Sequence, residues 1–211
     1  MNFVGHIYLS GGDQQIALGN FIGDHVKGKQ YNLYPLGIRK GILIHREIDH
    51  FTDNHPSFIA TKQLFKPLYM RYAGVVTDIA FDYILAKYFE DWHSEPLHEF
   101  SREFYRTLFK NFLILPGSVK AFVPFMVKSD RLTSYSTLSG IKKSLEIMSK
   151  YSSLPPKGQE AIKLLAENET IIGQHFTQLF CDIIVHLNQQ QQIPINEHAA
   201  TQIAMHRTLG G

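Results

Sequence analysis

GILIHREIDHFTDNHP (residues 41–56) and TDIAFDYI (residues 77–84) decide how this chain folds. In the first stretch His45 and Asp49 are four residues apart and Asp53 follows four later; in the second, Asp78 and Asp82 are four apart. On an α-helix that spacing stacks side chains on one face. Ile38, Ile42, Ile48 and Phe51 give the first helix its apolar side, while Val76, Ile79, Ala80, Phe81 and Ile84 make the second the most apolar helix of the chain. A His above an Asp, and an Asp above an Asp, within otherwise apolar helices is what a buried site for a divalent cation needs. Stacked carboxylates repel unless a proton, a cation or solvent separates them, and the sequence points to a metal. The bland alternatives are a hydrogen-bonded His45–Asp49 pair and an Asp78 turned to solvent at a helix N-terminus, where the dipole favours it. Asp82, a turn further in, is harder to explain that way.

Outward from these two helices the pattern stays helical. Residues 1–9 read as a short apolar helix or extended lead-in that ends at Gly11-Gly12. Asp13 is placed to cap a helix running to about Lys27, with Gly28 as its stop and Gly19 and Gly23 allowing close packing. The helix carrying His45 spans about 36–52, and Asn54-His55-Pro56 breaks it because the residue before proline avoids the helical region. Pro56 then starts a helix to about Tyr72, and the Asp-pair helix covers 75–89. Ser94 is a candidate cap for a helix over 95–113, and further helices fall at 118–129, 137–150 and 156–188, the last kinked near Gly173. Asp53 and His55 are read as capping and turn residues. With little strand-like alternation and no repeat, the expectation is an all-α, single-domain bundle over 1–188, followed by a polar tail over 189–211.

Bulk properties narrow the function classes. A length of 211 residues suits one domain, and 44% hydrophobic content can fill a core. The net charge of +2 gives no reason to expect nucleic acid or a membrane as partner. The N-terminus lacks a signal-peptide pattern and no apolar run reaches the length of a membrane span, so a soluble cytoplasmic protein is expected. One cysteine, Cys181, excludes an internal disulfide and a thiolate zinc site. Eleven histidines are the unusual feature, since imidazole is the commonest metal ligand. His6 and Asp24, each in an apolar helix, extend the candidate ligand set to His6, Asp24, His45, Asp49, Asp78 and Asp82. Nitrogen and oxygen donors without thiolate suit Mn, Mg, Fe or Zn, and the weight of carboxylates favours the harder ions. There is no G-x-S-x-G elbow, P-loop or dinucleotide fingerprint.

In order along the chain, MNFVGHIYLS, GNFIGDHVKG, GILIHREIDHFTDNHP, GVVTDIAFDYILAKYF, RLTSY and FTQLF resemble the acyl carrier protein phosphodiesterases over roughly residues 1–185. That family looks like a divergent branch of the helical HD phosphatase/phosphodiesterase superfamily, which implies an HD-domain-like bundle. The resemblance further implies a divalent metal, most often Mn2+ with Mg2+ or Fe2+ as alternatives, and hydrolysis of the 4′-phosphopantetheine–serine diester of holo-acyl carrier protein. It places the family's motif positions on His6, Asp24, His45, Asp49, Asp78 and Asp82, with Asp24, Asp49 and Asp82 as the catalytic carboxylates. The chain departs from the superfamily in lacking an adjacent His-Asp pair, since Arg46 follows His45. It departs from many relatives over Lys128–Arg131, where they carry a tryptophan-containing segment, and in its tail past Gln189. Arg46 is a candidate phosphate clamp, or else pairs with a carboxylate such as Glu47 or Glu90. Lys27 and Arg39 are candidates for a positive face that docks an acidic carrier protein. Two other readings stand beside this one: a metal-dependent hydrolase of nucleotides or other small phosphate esters, and a non-enzymatic helical module whose paired aspartates hold Arg or Lys.

Overall fold

Asn2 accepts a hydrogen bond from the Phe3 amide and starts α1 (Phe3–Tyr8); Asp13 accepts from the Gln15 and Ile16 amides and starts α2 (Gln14–Ile22). In the computed structural model, which describes residues 1–209, a 3-10 turn at Gly23–His25 follows α2, and a crossover leads into α3 (Leu36–Asn54). His55 ends α3 and caps α4 (Pro56–Tyr69), its Nδ1 accepting from the Ser57 amide, as the break at Asn54-His55-Pro56 required. Next come α5 (Ala73–Lys87), α6 (Leu97–Lys110) and α7 (Gly117–Lys128). The short α8 (Arg131–Ser134), α9 (Leu138–Tyr151) and α10 (Gly158–Glu167) follow. Last are α11 (Glu169–Gln191) and α12 (Glu197–Leu209). No strand occurs among the described residues, and the fold is all-α.

The core forms around α5, which packs against α1, α4, α9 and α11. A helix covered on every side must be apolar all round, and that is why the 75–89 stretch reads as it does. Aromatic side chains continue the core outward: Phe81 meets Phe176 edge-on at 5.8 Å, Phe176 stacks on Phe180 at 4.7 Å, and Trp92 stands over Phe180 at 4.9 Å.

Three local expectations need correction. The helix after Trp92 begins at Leu97 with Pro96 as its cap residue, not at a Ser94 cap, because Pro96 sits in extended geometry just before it. The interruption expected near Gly173 lies instead at Asn168, whose side-chain amide donates to the Leu164 carbonyl and closes α10. Gly173 sits inside an unbroken α11, with open space where a Cβ would stand. The stretch read as a tail from Gln189 lies against the core: Ile193, Ala199 and Ile203 are buried, and α12 packs on α11. No helix among the described residues is long and apolar enough to cross a membrane.

Candidate functional site

Two glycines set the geometry. A Cβ on Gly19 would lie 2.0 Å from the Ile38 carbonyl oxygen, and one on Gly41 would lie 2.1 Å from that of Ile16, so α2 and α3 touch backbone to backbone. The contact points advance together, from Gln15–Gly37 through Gly19–Gly41 to Gly23–His45, so the two helices run in the same direction. A Cβ on Gly23 would meet the His45 ring at 2.3 Å. The last turn of this seam therefore presses the imidazole of His45 against the 3-10 turn that carries Asp24, and α1 brings His6 in from the side.

The result is a cluster of two imidazoles and two carboxylates. His45 Nε2 lies 3.1 Å from Asp49 Oδ2 and 3.4 Å from Asp24 Oδ1, and His6 Nε2 lies 3.2 Å from Asp49 Oδ1. The two rings stack at 4.2 Å. One donor atom from each of His6, His45 and Asp49 falls within 4.8 Å of the other two. Both histidines are buried, whereas Asp49 is partly exposed and Asp24 stands at the mouth with 78% of its side chain in solvent. A cavity of about 30 Å³, room for one ion or water, is lined by Met1, Phe3, Asn20 and Phe21 together with His6, Asp24 and His45.

Asn20 fixes the state of His6. Its amide nitrogen donates to the His6 carbonyl at 2.7 Å and the Ser10 hydroxyl at 3.1 Å, which turns its oxygen towards His6 Nδ1 at 2.7 Å. Nδ1 must then carry the proton, and in a neutral ring Nε2 presents a lone pair to Asp49. Burial is the largest influence on His6 and holds its pKa below the usual histidine value. A neutral nitrogen lone pair facing a carboxylate oxygen calls for a cation between them. His45 adds a second sign: both of its ring nitrogens are buried, and despite the short contacts to Asp24 and Asp49 neither makes a properly aligned hydrogen bond. Burial acts to lower the His45 pKa, but the two carboxylates outweigh it and push it up to about 9. The same contacts hold Asp24 below the usual carboxylate range, and they do so for Asp49 against the upward pull of burial.

Asp78 and Asp82 lie outside this cluster. Asp78 Oδ1 is 2.6 Å from the α-amino group of Met1. Asp82, fully buried, accepts from the backbone amides of Asn2 at 3.1 Å, Val4 at 2.7 Å and Gly5 at 3.1 Å. An ammonium and three main-chain N–H groups thus stand beside these stacked carboxylates, and Asp82 anchors the start of the helix that carries His6. Burial pushes Asp78 up to about 6 and Asp82 up to about 7, against the pull of that ammonium.

The basic candidates are placed variously. Arg46 donates to the carbonyls of Val26 at 3.0 Å and Gly28 at 2.9 Å and lies over the Tyr31 ring, fastening the crossover rather than pairing with Glu47 or Glu90. Arg39 donates to the Asn32 carbonyl, and Lys27 is exposed. Sequence reasoning gave Asn20 no role, since a side-chain amide does not titrate. Its position four residues before Asp24, near the end of α2, was the available signal.

A family model described as acyl carrier protein phosphodiesterase matches residues 1–183. The chain belongs to that family. Members from Enterobacter sp. (strain 638) and Escherichia coli O6:H1 are 34% and 31% identical to it, each match covering 58% of this chain and 63% of the relative. One from Photorhabdus laumondii is 36% identical over 41% of this chain and 43% of its own length. All three are named acyl carrier protein phosphodiesterase, and the matched part spans less than two thirds of each. No solved structure matches the chain.

Proposed function

We propose that this chain hydrolyses the phosphodiester joining 4′-phosphopantetheine to the serine of holo-acyl carrier protein, at the cluster of His6, Asp24, His45 and Asp49. The observation that carries the reading is the buried His45 ring, neither of whose nitrogens has an aligned partner, beside Asp49 and a His6 whose Nε2 faces the same carboxylate, in a member of this family. His6 Nε2, His45 Nε2 and the Asp49 carboxylate would hold a divalent cation, with Asp24 at its open side. This donor set accepts Mn2+ and also Mg2+ or Fe2+. Bound there, the cation supplies a Lewis acid that acidifies water and offsets charge on the phosphoryl oxygens.

The chain's own residues do the rest. Asn20 holds the proton of His6 on Nδ1, so Nε2 faces the site with its lone pair. Asp49 spans the two imidazoles and sets their separation. Asp82 works at a distance, since its bonds to the first amides of α1 fix where His6 stands. Water attacks phosphorus as the serine oxygen leaves in line, and the proton lost by water is returned to the serine oxygen. Asp24, the exposed carboxylate at the mouth, is placed to relay that proton. The products are 4′-phosphopantetheine and carrier protein with an intact serine.

Mass spectrometry of holo-acyl carrier protein after incubation with this protein and Mn2+ tests the reading. Loss of the phosphopantetheine mass is expected, and both a chelator and His45→Gln should abolish it. An unchanged carrier protein, or release that survives the chelator, refutes it.

A further inference from the structure

The α6–α7 region concentrates positive charge. Four of the 21 basic residues and none of the 19 acidic ones fall between Phe104 and Lys128, leaving 17 against 19 in the rest of the chain. These four are Arg106, Lys110, Lys120 and Lys128; a second acid-free stretch, residues 25–46, carries Lys27, Lys29, Arg39, Lys40 and Arg46. The α6–α7 region exposes large apolar side chains: Leu113 at 88%, Phe109 at 55%, Phe125 at 52% and Ile114 at 42%. It also adjoins the site. Ser118, in the first turn of α7, lies 2.9 Å from His25 Nδ1, next to Asp24, and Phe122 packs on Phe3, Phe21 and His25. Lys120 ties the connection to α7 through the Leu113 carbonyl, so the surface is braced.

We propose that the exposed face of α7 and the α6–α7 connection form the docking surface for an acidic, helical protein substrate that presents apolar side chains among its carboxylates. The inference rests on the proposed function, because the partner is the protein carrying the diester. Unopposed cations steer such a partner and set its register, and the exposed Phe and Leu side chains supply the desolvated contact. Docking on α7 sets the partner beside Asp24, where a flexible phosphopantetheine arm joins it. An anionic membrane is the competing occupant. It is disfavoured because a membrane on this face would crowd the mouth that the diester must enter.

Steady-state kinetics on holo-acyl carrier protein test this with wild type, Lys110→Glu/Lys128→Glu, Phe125→Ser, and a control with the same charge change elsewhere, Lys142→Glu/Lys163→Glu. Circular dichroism melts confirm that each variant is folded. The expected result is a KM at least tenfold higher for Lys110→Glu/Lys128→Glu and at least threefold higher for Phe125→Ser, with kcat within twofold of wild type and the control unchanged. A KM unmoved by the patch variants, or raised equally by the control, overturns the docking surface while leaving the function standing. Loss of co-sedimentation with anionic phosphatidylglycerol vesicles, with KM unchanged, assigns the patch to a membrane and also overturns it. Wild type that releases nothing from holo-carrier protein fails both, a result distinct from either of these.

Discussion

Loading a divalent ion into the metal-free protein at pH 7 should expel close to one proton. Of the groups around the site, His6 is neutral because burial lowers it, and Asp24 and Asp49 are ionised because the imidazoles lower them. Only His45, pushed up to about 9, carries a proton that an ion must displace. Two pH units below that value His45 is about 99% protonated, so the proton count per ion is about 1 and apparent affinity falls about 50-fold between pH 9 and pH 7, roughly 2.3 kcal/mol. Titration calorimetry with Mn2+ in phosphate and in Tris, whose ionisation heats differ, gives the count from the difference in apparent enthalpy. Affinity should rise about tenfold from pH 7 to 8 and about fivefold from pH 8 to 9, then level off. A count near zero at pH 7, or an affinity flat over that range, would show that His45 is not the group the ion displaces.

The remaining expectations concern stability and positioning. Without metal, His45 is raised in the folded state, so its stabilisation is complete below its unfolded value near 6.5 and fades as pH climbs through about 9. Urea melts should weaken by up to about 3 kcal/mol across that window, and His45→Gln should flatten the change. Asp82→Ala leaves three buried amides without an acceptor and should cost about 3–5 kcal/mol in the same assay. Asp24→Ala removes one of the two carboxylates that raise His45 and should cost about 1 kcal/mol, less than Asp82→Ala, yet remove activity; equal losses of stability would contradict the division between anchoring and chemistry. Asn20→Ala frees the His6 tautomer and should lower metal affinity or turnover by about 10–100-fold. Gly23→Ala drives a methyl into the His45 ring and should cost about 1–3 kcal/mol and weaken metal binding, measured by melts and calorimetry.

The helices and half of the site's logic were legible because they rest on local chemistry. The four-residue spacing of His45 and Asp49, the capping carboxylate of Asp13 and the proline at 56 each act within a turn or two of themselves. The partners of Asp78 and Asp82 were not legible. Their carboxylates meet an amine and amides 77 to 80 residues away, and main-chain N–H groups leave no mark in a sequence. A buried aspartate next to another aspartate reads the same whether a cation or the start of a helix satisfies it. Beyond Gln189 the buried positions, Ile193, Ala199 and Ile203, are too few among polar neighbours to announce packing. The Asn168 break hid for a similar reason, since it depends on a side-chain amide reaching back to the Leu164 carbonyl.

The seam at Gly19, Gly23 and Gly41 ties architecture and chemistry to the same atoms. Because no side chain fits between α2 and α3, any added bulk slides one backbone along the other and carries His45 away from Asp24. Engineers seeking a hardier variant would find the usual glycine-to-alanine shortcut closed here. Gains in robustness must be sought in elements remote from this contact, such as α9 and α10.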